Sequence, residues 1–263
     1  MAKHSLRLMV VAIPVFLFSL ASPAIAQQSQ AEADANNPLA SFTAFNVQNY
    51  YVPSLTELDG QNANTLWLRY AKPLFGKLLL RASLPVSRVP TGIGTTKSGL
   101  GDFSAFLAYL VDTGNPAKSF GIGPQFAFPT ASRDETGSGK YQMGFATVYF
   151  DGSSPHFQWG GLLTWQTDIG GDDDRASTSM AALQPFYFFQ LGGGLYVRGA
   201  PIMVYNFETD NYHMPFGLGL GKVIPAGNTV YNLFIEPQYT FLDNGPGQPE
   251  FQLYVAINMQ FKG

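Results

Sequence analysis

The chain has 263 residues, a formal net charge of −3, 46% hydrophobic and only 13% charged residues, and no cysteine. The missing cysteine excludes disulfides, thiolate metal sites and haem attachment, and the mildly acidic balance offers nothing to a nucleic-acid backbone. After residue 26 no stretch holds the ~18 consecutive apolar residues of a helical membrane span, while 22 Phe and 13 Tyr leave room for a chain of alternating membrane strands.

At the start, Lys3 and Arg7 precede an apolar run from Leu8 to Leu20 and the small-residue segment Ala24-Ile25-Ala26. That is the pattern of a cleavable signal peptide over 1–26, too short for a spanning helix, with cleavage expected before Gln27. Its removal takes two basic residues and no acid, so the mature charge falls from −3 to −5. Residues 27–40, QQSQAEADANNPLA, are polar and aperiodic and read as a flexible segment, either a solvated tail or a piece tucked into a lumen.

Residues 41–263 form one domain of about twelve alternating segments, each of a length that suits a tilted transmembrane strand. The last is the clearest: Phe251, Leu253, Val255, Ile257, Met259 and Phe261 share one face, and Gln252, Tyr254, Ala256, Asn258 and Gln260 the other. Alternation of an apolar and a polar face is the lipid-out, lumen-in pattern of a barrel strand. The same scheme sets Tyr231, Leu233, Ile235, Tyr239 and Phe241 against Asn232, Glu236, Gln238 and Thr240, and Phe157, Trp159, Leu163 and Trp165 against Gln158, Thr164, Gln166 and Asp168. Phe120, Ile122, Phe126 and Phe128 likewise oppose Gly121, Gly123, Gln125 and Ala127.

Short connections, at 75–76, 112–117, 151–155, 191–194 and 225–227, alternate with longer polar ones at 87–97, 131–139, 169–177, 207–212 and 242–249. Short periplasmic turns alternating with long outer loops define an antiparallel up-and-down transmembrane β-barrel, all-β, with both termini in the periplasm. Lys72 and Lys222 fall on outward faces but near periplasmic strand ends, where they can snorkel. Pro124, Pro185, Pro201, Pro215 and Pro237 fall within these strands, and each removes a ladder hydrogen bond. Some of them must therefore mark bulges or strand ends.

Several ordered pieces resemble the bacterial outer-membrane family named for the MetA pathway of phenol degradation. They are Ser98-Gly99-Leu100-Gly101-Asp102, Gly121-Ile122-Gly123-Pro124-Gln125, Phe128-Pro129-Thr130-Ala131 and Gly137-Ser138-Gly139-Lys140. Further along come Gly170-Gly171-Asp172 with Arg175, Gln184-Pro185-Phe186, Pro215-Phe216-Gly217-Leu218-Gly219 and Gly221-Lys222. The likeness runs from about residue 60 to the C-terminus and takes in three of the awkward prolines. It implies an outer-membrane transport protein linked to aromatic-compound breakdown, and it brings no catalytic residues. One departure is the end of the chain, where Phe261 is followed by Lys262-Gly263 rather than closing on an aromatic residue.

Inward faces gather Arg69, Arg81, Arg198, Asp102, Glu236 and Asp168 among Gln125, Gln142, Gln158, Gln184, Gln238, Gln252 and Asn258. Charges in a narrow lumen are expected to pair, and the network either fills the interior or forms a polar constriction that selects solutes. Arg69, Arg81, Asp102, Gln125, Gln184, Arg198, Glu236 and Gln238 are the candidate selectivity residues. Phe186, Phe188 and Tyr196 are candidate aromatic contacts for an apolar solute.

Asp172-Asp173-Asp174 lacks the ligand spacing of a calcium loop and reads as a solvated acidic loop, with Arg175 free to meet lipopolysaccharide phosphate. No metal or cofactor is called for. For catalysis, only His213 lies where a surface hydrolase needs its base, with Ser177 or Ser179 as conceivable nucleophiles, and nothing in their spacing singles them out. The reading is an outer-membrane channel for passive uptake or efflux of small, aromatic or hydrophobic, molecules. Its expected partners are the solute, outer-membrane lipid with lipopolysaccharide, and the barrel-assembly machinery. The alternatives are a barrel-anchored surface enzyme acting on lipid and a ligand-binding outer-membrane protein.

Overall fold

A computed structural model describes residues 34–261. The expected leader, residues 27–33 and the last two residues lie outside them. The strands are β1 (Thr43–Leu55), β2 (Ala63–Pro73), β3 (Leu78–Gly92), β4 (Thr95–Leu100), β5 (Phe103–Val111), β6 (Lys118–Phe128), β7 (Lys140–Asp151) and β8 (Phe157–Gly171). They continue with β9 (Ser179–Gly192), β10 (Leu195–Gly199), β11 (Met203–Asn206), β12 (Tyr212–Gly217), β13 (Gly219–Ala226), β14 (Thr229–Asn244) and β15 (Pro249–Phe261).

Every pairing is antiparallel, and β15 joins β14 on one side and β1 on the other, with Ile257 opposite Leu233 and Val47. The sheet is thus a closed barrel of 12 strands. Three of the twelve are each built from two segments: β4 with β5, β10 with β11, and β12 with β13. Closure leaves no edge strand, so backbone groups pair within the wall as a hydrocarbon environment demands.

Register confirms the two faces read from the sequence. The outward side chains of β14, among them Ile235, Tyr239 and Phe241, are exposed, the last two to 65% and 61%. Exposed aromatic and aliphatic side chains recur on β6, β7, β8, β9 and β13, a continuous apolar girdle far larger than a water-soluble monomer presents. Inward, Asn232, Glu236, Gln238, Gln252 and Gln158 are buried.

The prolines sit where neighbouring ladders are already broken. Pro201 lies in the gap between β10 and β11, and Pro215 follows a register shift between Met214 and Pro215 against β14. Pro237 stays inside β14 opposite Leu253, and its other edge meets the gap at Leu218, whose N–H donates to the Pro237 carbonyl at 3.2 Å. Pro185 pairs with Gly161 and faces the β10/β11 gap, and Gly123 and Pro124 form no pairs with β5. Each missing N–H is therefore placed against a strand that asks for no bond there.

One expected outer loop is itself sheet. Residues 87–97 fold as the end of β3 and the start of β4, with Arg88 opposite Ser98 and Val89 opposite Lys97. The segment is polar because it stands beyond the hydrocarbon band, so lipid-driven alternation does not mark it as strand.

The described part of the N-terminal segment, 34–40, does not run into solvent. Ala35 and Leu39 are buried in an apolar cluster with Leu79, Ala108, Val148, Phe150, Phe186 and Val223. Asn232 donates to the Ala35 carbonyl at 3.1 Å and to Asn36 Oδ1 at 3.0 Å, and Asn37 donates to Ser119 Oγ at 3.1 Å. These partners lie just after the turns at 112–117 and 227–228, so residues 34–40 occupy that end of the barrel. Of the two readings of the segment, tail or lumen filler, the described residues take the second.

Candidate functional site

Among the described residues, two cavities lie within the lumen. The outer one, about 590 Å³, is lined by strand residues such as Trp67, Ser104, Gln125 and Met180 and roofed by Glu135 to Ser138 of the β6–β7 loop. The inner one, about 130 Å³, lies against residues 35–42 and is lined by Phe186, Phe188, Phe234 and Tyr254. Arg69, Arg81, Phe106, Leu162 and Gln184 border both and mark the waist between them.

Register sets that waist. Arg69 stands opposite Ser83, and Arg81 opposite Ala71 and Phe106, so the two arginines are diagonal neighbours on adjacent strands, both inward. The Arg69 guanidinium donates to Gln48 Oε1 and lies 4.7 Å from the centre of the Trp67 ring. Pairing of all lumen charges does not hold here. Among the described residues neither Arg69 nor Arg81 has a carboxylate partner, and Arg81 makes no hydrogen bond.

Arg198 does find its partner. Its Nε lies 2.7 Å from Glu236 Oε2, while Glu236 Oε1 accepts the Ala200 N–H at 2.8 Å and the Gln238 amide at 2.6 Å. Gln252 extends the chain by donating to Gln238 at 2.6 Å, and the Phe234 ring lies 3.4 Å under the guanidinium. Glu236 and Gln238 are fully buried, line neither of these two cavities and hold Arg198 within the wall. Tyr196 is also fully buried. It bonds Asn232, packs against Gly221 and borders neither cavity, unlike Phe186 and Phe188. A β-carbon at Gly221 would stand 2.2 Å from the tyrosine ring, which is why an inward glycine sits there.

At the outer end, Asp102 accepts the N–H of Ala131 at 3.1 Å and both the N–H and hydroxyl of Ser138 at 2.7 Å, tying the β6–β7 loop over the cavity. A relay of amides, Gln125 to Gln166 to Gln142 to Ser138, joins that loop to the wall. Gln184 donates to the Ala200 carbonyl at 3.0 Å. Arg175 donates to the carbonyls of Asp134, Gly137 and Ser138, so its guanidinium is directed at this loop. Lys97 reaches Glu135 at 2.8 Å, and that hydrogen bond holds the Glu135 carboxyl below its ordinary pKa.

His213 pairs through Nδ1 with Gln248 at 3.2 Å, and its neighbour across the sheet is Asp243. Neither Ser177 nor Ser179 bonds it. Among the described residues no cluster of His, Asp and Glu could hold a metal ion, and Asp172 Oδ1 is engaged by the Asp174 N–H.

Sequence reasoning missed Trp67, Phe106, Leu162 and Tyr254 as cavity residues. Trp67 lies in the unbroken run Leu66-Trp67-Leu68, where both faces are apolar and alternation carries no signal. Tyr254 had been placed inward, but its stacking on Tyr50, 4.1 Å between ring centres, joins strands at opposite ends of the chain.

Comparison with solved structures finds the same architecture. The COG4313 outer membrane channel from Pseudomonas putida F1 is 14% identical, with a TM-score of 0.60, covering 85% of this chain and 97% of its own. The barrel fold is shared with that channel. The NanC porin is 10% identical, with a TM-score of 0.54, covering 83% of this chain and 100% of its own. At these identities the likeness is one of barrel architecture. No protein-family model and no curated protein matches the sequence.

Proposed function

We propose that the protein is exported to the outer membrane and acts there as a channel for passive movement of small, aromatic or otherwise hydrophobic, molecules. The observation that carries this reading is the lumen. It offers an outer cavity of about 590 Å³, large enough for a single-ring solute, leading to a waist where aromatic and aliphatic side chains stand beside arginines. The barrel fold shared with outer-membrane channels supports the location, and the resemblance to the MetA-pathway family supports an aromatic solute. In this reading the lipid-facing girdle meets outer-membrane lipid and lipopolysaccharide, and the assembly machinery inserts the barrel.

Single-channel recording of the refolded protein, with folding established by heat-modifiable gel mobility, tests it. Discrete conductance steps are expected. Silence from folded barrels would remove the channel reading. A second reading, a ligand-binding outer-membrane protein, is favoured by residues 34–40, which narrow the inner half to a cavity of about 130 Å³. It predicts saturable binding of a single-ring solute without conductance. A lipid-acting enzyme has no supporting constellation around His213, and we propose that the protein is not an enzyme.

A further inference from the structure

We propose that the waist of the lumen is an anion site, in which Arg69 and Arg81 receive the carboxylate of an amphiphilic organic acid while its ring or chain lies on Phe106, Leu162 and Trp67. The proposal rests on the channel reading and narrows its solute class from hydrophobic molecules in general to those that carry a carboxylate.

The charge inventory of the cavities leads there. Five charged residues border them: Arg69, Arg81, Arg198, Asp102 and Glu135. Arg198 is held by Glu236, Asp102 by three donors of the β6–β7 loop, and Glu135 by Lys97. What is left without counter-charge among the described residues is the pair Arg69 and Arg81. Their backbones lie roughly 7–8 Å apart as diagonal neighbours, so two cations converge on one stretch of lumen.

Two like charges in a confined interior repel, and an anion between them relieves the arrangement. The local shortage is of acceptors. Arg69 has Gln48 as its one side-chain acceptor among the described residues, and Arg81 has none. Guanidinium donors that line a cavity without a carboxylate partner are open to one, and a planar carboxylate matches the fork of a guanidinium. The apolar residues at the same level complete the site: Phe106 stands opposite Arg81 across the sheet, Trp67 lies under Arg69, and Leu162 borders both cavities.

Calorimetric titration of the folded wild-type protein with benzoate and with its neutral analogue benzamide, at pH 7, tests the proposal. Benzoate is expected to bind at least ~10-fold more tightly, a difference of about 1.4 kcal/mol. Arg69→Gln and Arg81→Gln are each expected to shrink that preference to under ~3-fold, Arg81→Lys to retain most of it, and Arg88→Gln, whose guanidinium bonds Asn62 at the outer end, to leave it unchanged. Equal affinity for the two compounds, or no benzoate binding to folded wild-type barrels, overturns the anion site whatever the variants do. Conductance recorded on the same preparation is a separate reading. Steps without benzoate preference leave the channel and remove the site, whereas benzoate preference without steps keeps the site in a barrel that binds rather than conducts.

Discussion

Arg198 and Glu236 face each other at 2.7 Å inside the barrel wall, where the β10/β11 and β12/β13 interruptions leave backbone groups short of partners. Glu236 does two jobs at once: one oxygen neutralises Arg198, and the other accepts the Ala200 N–H at the edge of the β10/β11 gap. Glu236→Ala strands both a buried cation and a backbone donor. It is expected to lower stability by about 3–5 kcal/mol, read as a shift of the urea midpoint in lipid vesicles. The double variant Arg198→Met/Glu236→Leu is expected to lose less than Glu236→Ala alone, because no charge is then left buried.

Asn232 holds the N-terminal segment. Its amide makes two of the hydrogen bonds to residues 35 and 36, at 3.1 and 3.0 Å. Asn232→Ala removes about 2 kcal/mol of that hold, and the population with the segment released is expected to rise roughly thirtyfold. More frequent excursions to a larger conductance in planar bilayers would show it. An unchanged record would mean that the remaining contacts, those of Ala35, Asn37 and Leu39, are enough to fix the segment.

Ile235 points outward near the middle of β14, paired with Val255 and Leu220. Ile235→Lys places an ammonium in hydrocarbon and is expected to cost about 2–4 kcal/mol, with lysine tolerated far better at position 195, beside the turn at 193–194. Urea titration of the two variants in the same lipid measures the difference.

Glu135 links the β6–β7 loop to β4 through Lys97, and this hydrogen bond depresses its pKa from the ordinary 4.5. A depressed carboxyl stabilises the folded loop above the unfolded pKa, and the contribution is lost as pH falls through the lower folded value. Protease susceptibility of the loop is therefore expected to rise below about pH 4.5, and Lys97→Ala is expected to return the Glu135 titration to its ordinary position. NMR titration of the Glu135 side chain reads the second effect directly.

The amino-acid sequence by itself determined that this is a barrel. Alternation along β8, β14 and β15 separates the lipid face from the lumen face, and that is a local property, because successive side chains of any strand point to opposite sides. The inward placement of Arg69, Arg81 and Arg198 was legible for the same reason. What only the tertiary structure decided is which of these side chains meet. Arg198 reaches Glu236 across 38 positions of sequence, Gln48 reaches Asn258 across 210, and Asn232 reaches Ala35 across 197. Those encounters depend on the register of each strand pair and on closure between β1 and β15, neither of which alternation encodes. Hence the sequence shows three inward arginines as equals, while the fold neutralises one and leaves two side by side on adjacent strands at the waist.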